Sequence, residues 1–198
     1  MMTADHPRTV VLGLGNLLMA DDGVGLIALA RLEEEWFVPR DVELVDGGTW
    51  GMNLLPVIEK ADRVIFLDAI DLGDPPGTLI RLEDEEIPRF LGVKLSPHQI
   101  DLREVLALAE LRGTLPGELV ALGIQPARVE LSTTLSPVVE ARLDQLVHMA
   151  AETLMNWGFG VCRWSDHGRR TRHPVPRAGS SRRPSPVSHL PSPISSHA

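Results

Sequence analysis

Carboxylates and one histidine stand at the ends of apolar segments in this chain of 198 residues. Asp21 and Asp22 follow the first apolar run, Asp68 follows a later one directly, and His98 precedes a helical pattern. Two carboxylates and an imidazole suit a divalent transition ion with open coordination positions, such as nickel or zinc, better than calcium. Asp22, Asp68 and His98 are therefore the candidate metal ligands.

Each of these residues also has a purely structural interpretation. Asp21 or Asp22 could cap the helix that follows. Asp46 begins an Asp-Gly-Gly sequence, which is an ordinary turn signature, and His98 could be a surface residue near a helix start. Asp68 is the hardest to explain in this way, because a carboxylate directly after a buried apolar strand is costly without a partner.

The elements that must position these residues alternate between strand-like and helix-like patterns. Strands are predicted at residues 9–12, 42–45, 64–67, 78–82 and 118–124, and helices at 24–36, 52–60, 100–111 and 137–157. Continuous apolar strands between helices predict an α/β fold, a three-layer sandwich of a twisted, largely parallel sheet with helices on both faces. Because ligands of such sheets bind at the carboxyl ends of the strands, the candidate residues are expected at one edge.

The glycine-rich turn after the first strand raises the alternative of a dinucleotide site. Gly13 and Gly15 match two glycines of the dinucleotide-binding fingerprint, but Leu18 stands at the third position. Asp46 lies 28 residues beyond Leu18, later than the roughly 20 typical of the ribose-binding acid. The adjacent acids of the turn would also oppose a phosphate at the helix N-terminus. A cation explains this turn better than an anion does.

Charge divides the chain into a domain at residues 1–162 and an Arg/Pro/Ser-rich tail at 163–198. The first part carries 12 basic and 26 acidic side chains, a net charge of −14, whereas the tail carries seven arginines and one acid. The acidic domain argues against nucleic acid as a partner. The tail has too few apolar residues to pack, so we expect it to be disordered.

Cysteine content and apolar run lengths restrict the class of protein further. The single cysteine, Cys162, excludes an internal disulfide and a cysteine-based zinc site. The sequence shows no signal peptide and no apolar run long enough for a membrane span. We therefore expect a cytoplasmic protein that does not enter the membrane.

Four motifs follow one another along the chain: Gly13-Leu14-Gly15-Asn16-Leu17-Leu18 with Asp21-Asp22-Gly23-Val24-Gly25, then Asp46-Gly47-Gly48-Thr49, Leu67-Asp68-Ala69, and Ser96-Pro97-His98-Gln99. Taken in this order, they resemble those of the nickel–iron hydrogenase maturation proteases, the peptidases that process the C-terminus of the hydrogenase large subunit. The resemblance covers residues 10–158.

The resemblance implies a monomeric endopeptidase of the metal-dependent or aspartic type. Its substrate would be the large-subunit precursor, from which it removes a C-terminal extension after nickel insertion. Asp22, Asp68 and His98 would contact the nickel, which the precursor supplies, and Asp22 and Asp68 would be the catalytic residues. Family members carry Glu or Asp at the position of Asp22.

Two other functions remain open at this point. One is a non-catalytic nickel-binding checkpoint protein that uses the same three ligands, and the other is a nucleotide-binding oxidoreductase. The resemblance places the ligand at the second acid of the turn, so Asp22→Asn is expected to abolish processing. Asp21→Asn is expected to retain most activity, because Asn caps a helix about as well as Asp.

Overall fold

A central sheet of five strands organises the molecule. The structure, a computed structural model, describes residues 7–84, 86–87 and 97–167, with the backbone alone at 97–101, 166 and 167. The strands are β1 (Thr9–Leu14), β2 (Trp36–Phe37), β3 (Val42–Gly48), β4 (Arg63–Ala69), β5 (Leu79–Glu83), β6 (Glu118–Ile124) and β7 (Cys162–Arg163). The sheet order is β3-β1-β4-β6-β5; β5 is antiparallel to β6, and the other pairs are parallel.

Helices cover both faces of this sheet. They are α1 (Val24–Glu35), α2 (Leu55–Ile58), α3 (Pro97–Arg112), α4 (Pro137–Glu140), α5 (Leu143–Asn156) and α6 (Trp164–His167), with 3-10 turns at Ala20–Gly23 and Gly51–Leu54. Successive residues of β1 point to opposite faces: Val11 joins the apolar cluster formed with α1 and α5, and Val10 joins the cluster formed with α2 and α3. The predicted α/β fold with helices on both faces is confirmed. No helix in the described part of the chain has the length and apolar character needed to cross a membrane.

Two predicted helices are shorter or less regular than their sequence pattern indicated. Residues 51–58 form the 3-10 turn Gly51–Leu54 followed by a single helical turn, in which Pro56 occupies one of the first two positions. The pattern at 137–157 divides into α4 and α5, because the helix is interrupted at Ala141 and Arg142. Periodicity located both segments but not the breaks within them.

The ordered fold extends past the predicted boundary at residue 162. Strand β7 pairs antiparallel with β2, and the guanidinium carbon of Arg163 lies 5.2 Å from the ring centre of Trp36. The rings of Phe37 and Trp164 meet edge to face, with their centres 5.5 Å apart. Composition alone missed these contacts because Arg163 and Trp164 pack singly, outside any apolar run. The remainder of the predicted tail, residues 168–198, lies outside the described residues.

Candidate functional site

The turn after β1 folds tightly back on itself and carries Asp22. Gly15 has a φ of +112°, and a Cβ atom there would lie 1.8 Å from the carbonyl oxygen of Asp22. Only glycine permits that approach. The backbone N–H of Asn16 donates to the Asp22 carboxylate at 3.0 Å, which fixes the side chain against the start of the turn.

A second glycine brings this turn against the end of β4. A Cβ atom on Gly25 would lie 2.1 Å from the carbonyl oxygen of Leu67 and 2.5 Å from that of Leu14. The first turn of α1 therefore sits directly on the ends of β1 and β4, and the 3-10 turn that contains Asp22 contacts β4. Since Asp68 follows Leu67 near the end of β4, the 3-10 turn that carries Asp22 lies against the strand that carries Asp68.

Both of these carboxylates are nearly buried. Asp22 is 6% exposed and Asp68 is 5% exposed. Asp68 accepts a hydrogen bond from the N–H of Ala69 at 2.8 Å, so each carboxylate receives at least one main-chain donor. Burying carboxylates is costly, and main-chain donors offset part of that cost. Two buried carboxylates, one in the 3-10 turn and one near the end of β4, can provide oxygen ligands or a proton acceptor.

Asp21 has a different role from its neighbour. It is fully buried, and its carboxylate accepts hydrogen bonds from the backbone N–H groups of Ala127, Arg128 and Ser136, and from the Ser136 hydroxyl, at 2.6–3.0 Å. Neither Asp21 nor Asp22 caps a helix, because no side-chain capping bond forms at the 3-10 turn or at α1. The helix-cap interpretation is therefore wrong for both acids. Asp21 instead anchors the turn to the segment that follows β6.

Sequence reasoning missed Ser136 as the partner of Asp21. It stands immediately before Pro137 at the start of α4, a position at which serine followed by proline signals a helix N-terminus. That signal located Ser136 at a helix end. It could not reveal that the hydroxyl and backbone N–H both point to an acid 115 residues earlier.

The sequence Asp46-Gly47-Gly48, predicted as a turn, is instead the end of strand β3, and it lies beside the glycine turn. The N–H of Gly15 donates to the carbonyl oxygen of Gly48 at 3.1 Å, and Gly48 has a φ of +41°. Asp46 itself is exposed. The end of β3 therefore contributes its backbone to the carboxyl edge, next to the segment that carries Asp22.

His98 belongs to α3, a helix that contacts the 3-10 turn following β3. The C-terminal end of α3 lies beside α2, where Arg112 bonds Glu59 at 3.0 Å, and β6 begins near that end at Glu118. A helix of 16 residues extends about 24 Å, so its N-terminus reaches back past the 3-10 turn at Gly51–Leu54, which α3 also contacts. His98 is the second residue of this helix, and its side chain is outside the described set.

The described side chains alone do not assemble a complete metal site. Among them, no three His, Cys, Asp or Glu residues form a group that could hold a metal ion. The predicted set has three members, of which the described side chains include Asp22 and Asp68. Two buried carboxylates fit a divalent cation whose remaining ligands come from another molecule.

Comparison with known proteins agrees with the fold. A family model described as HycI, hydrogenase maturation protease, matches residues 27–153. The hydrogenase expression/formation protein HupD of Thiocapsa roseopersicina is 43% identical over 162 residues, covering 81% of this chain and 73% of HupD. The hydrogenase 2 maturation protease of Escherichia coli K12 is 37% identical, covering 76% of this chain and 93% of that protein.

A solved structure resembles the whole described domain. The hydrogenase maturating endopeptidase HybD from E. coli superposes with a TM-score of 0.78 at 36% identity, covering 80% of this chain and 99% of HybD. The fold and these similarities thus identify an α/β protein of the peptidase class. The chain belongs to the hydrogenase maturation protease family. The dinucleotide alternative loses its support, because buried acids occupy the turn where a pyrophosphate would bind.

Proposed function

We propose that this chain is the endopeptidase that removes the C-terminal extension of a nickel–iron hydrogenase large-subunit precursor after nickel insertion. The observation that carries the proposal is that Asp22 and Asp68 are both nearly buried, and that the 3-10 turn of Asp22 contacts β4, the strand of Asp68. A site with two acids and one imidazole leaves coordination positions open on a divalent ion. The nickel held by the precursor would be this divalent ion, and it would belong to the substrate.

The residues of this chain then have distinct tasks. Asp22 and Asp68 offer oxygen ligands toward the nickel-bearing substrate, and His98 offers a nitrogen ligand. Holding the scissile bond in this way lowers the barrier by positioning, which is worth several kcal/mol when alignment is good. The main-chain groups of the Gly47-Gly48-Thr49 turn are suited to orient the peptide or its oxyanion.

Hydrolysis needs a proton acceptor beside the held peptide bond. One of the two carboxylates takes a proton from water, and the hydroxide forms a bond to the carbonyl carbon. The C–N bond breaks, and the proton passes from the carboxyl group to the leaving nitrogen. This makes the enzyme aspartic in type, with the metal belonging to the substrate. The monomeric state and the cytoplasmic location of the enzyme stay predictions.

The test compares nickel-loaded and nickel-free precursor, with the mass of each large subunit as the readout. We expect that the enzyme shortens only the nickel-loaded form. Asp41→Asn is a matched control, since Asp41 is exposed just before β3 at the opposite end of the strand and should leave processing intact. Equal cleavage of the two precursors would disprove nickel sensing, and binding without any cleavage would favour the checkpoint protein.

A further inference from the structure

Strand β3 leaves one side of the sheet open. It forms one end of the five-stranded order and pairs with β1; within residues 7–84, 86–87 and 97–167, no strand pairs with its other side. Leu44 and Val45 are partly buried and lie on opposite faces of the sheet. An open edge of this kind presents main-chain donors and acceptors that match another extended chain.

A cavity of about 310 Å³ lies against the first half of this strand. Its apolar wall comprises Trp36, Val38, Pro39, Val42, Leu44 and Trp164, and the charged residues Glu33 and Arg40 complete the lining. Val42 and Leu44 face the same side of the sheet, since both belong to the apolar cluster formed with α1. The cavity is therefore placed to receive a side chain from a strand added beside β3, because alternate residues of that strand would point to this face. We name it the edge pocket.

Trp36, which lines the edge pocket, carries a polar group that lacks a partner among the described residues. Trp36 is 5% exposed, and its indole Nε1 is buried without a hydrogen-bond acceptor among the described residues. Buried donors of this kind are uncommon and are usually satisfied by an acceptor. A carbonyl oxygen of a bound peptide is an acceptor of the required chemistry.

The open edge leads from the edge pocket to the candidate site. Strand β3 ends at Gly48, whose carbonyl oxygen accepts from Gly15 at the start of the turn that carries Asp22. At a rise of about 3.3 Å per residue, Leu44 lies about 13 Å from Gly48 along the strand, and Val42 about 20 Å. Four to six extended residues span this distance.

We propose that the C-terminal extension of the precursor binds as an added strand on the open edge of β3. The inference rests on the proposed function, which puts the scissile bond at the carboxyl end of β3. The extension begins at that bond, so it runs toward the amino end of β3 and is antiparallel to it. An apolar side chain four to six residues beyond the cut then occupies the edge pocket.

The enzyme side is tested with Leu44→Ala, which reduces the apolar wall, and Trp36→Phe, which removes the indole N–H. For nickel-loaded precursor we expect KM to rise about three- to tenfold while kcat is unchanged, because binding along the extension is equal in the ground and transition states. Leu111→Ala, on an 84% exposed residue of α3, is the matched control and should change neither constant. Melting temperatures verify that each variant is folded.

The substrate side uses the wild-type enzyme and proline at each of the second to seventh extension residues in turn. A proline that removes a ladder N–H should raise KM, and one whose N–H points away should not, so the effect alternates with a period of two. If cleavage is normal and KM does not change with the position of proline in the extension, this inference is overturned and the proposed function stays intact. Loss of all cleavage of unaltered precursor would instead refute the proposed function. The wild-type protein could also prove to be a dimer that Leu44→Ala converts to a monomer. In that case the edge of β3 binds a second copy of the chain, and the inference is overturned.

Discussion

Two adjacent aspartates of one turn have separate tasks because their carboxylates meet different surroundings. Asp21 is fully buried and receives four donors, three of them main-chain N–H groups. Asp22 retains 6% exposure and receives the N–H of Asn16. One acid therefore holds the turn in place, and the other is presented at the carboxyl edge.

Replacing Asp22 by Asn should keep the fold and abolish processing. The remaining amide oxygen can still accept from Asn16, whereas the negative charge offered to a divalent ion is lost. Asp68→Asn and His98→Ala should have the same effect. The measurement is paired: the melting temperature of each variant, and the fraction of nickel-loaded precursor that is shortened. Full processing by Asp22→Asn would remove this residue from the site.

Replacing Asp21 by Asn should destabilise the protein, contrary to the mild effect expected for a helix cap. The Asn amide would face N–H groups with its own donors, and each buried donor left unsatisfied costs about 1–3 kcal/mol. Urea denaturation should therefore show a loss of that order in the free energy of unfolding. Ser136→Ala removes the hydroxyl but keeps the main-chain donor, so its loss should be smaller. Equal stability of Asp21→Asn and wild type would contradict the anchoring role.

At the scale of elements, the site depends on how closely α1 approaches the ends of β1 and β4. Gly25→Ala should separate them, because the added carbon would lie 2.1 Å from the Leu67 carbonyl oxygen. We expect a loss of about 1–3 kcal/mol in stability, as for overpacked cores, and a fall in kcat as Asp22 moves relative to Asp68. Gly160→Ala is the control, since no atom lies within 4 Å of its added carbon. Unchanged kcat in a folded Gly25→Ala protein would show that this spacing is not critical.

The strands and the acids at their ends could be predicted because both depend on local sequence. Buried parallel strands are continuous apolar runs, and Asp68 interrupts one directly. The pairing of β2 with β7 could not be predicted, since each strand has two residues and its partner lies more than 120 residues away. Likewise, spacing placed Asp21 and Asp22 in one turn, but only the position of Ser136 in the fold distinguishes them.

At the scale of the whole molecule, the segment after α5 completes the fold. A chain ending at His167 should be more stable than one ending at Cys162, because Arg163 and Trp164 contact the rings of Trp36 and Phe37. These two contacts are worth roughly 1–2 kcal/mol together, so the shorter chain should have a lower melting temperature. Both should process precursor at 25 °C. Identical melting temperatures would mean that β7 adds nothing to stability.

The segment after β6 is fastened to the site turn chiefly through its main chain. Asp21 bonds N–H groups of Ala127 and Arg128, and the backbone of Ser132 bonds Leu18 and Ala20. Between these points Val129 and Leu131 are 52% and 83% exposed. Because main-chain hydrogen bonds tolerate almost any side chain, the exposed side chains of residues 127–132 can vary while the turn that carries Asp22 stays in place.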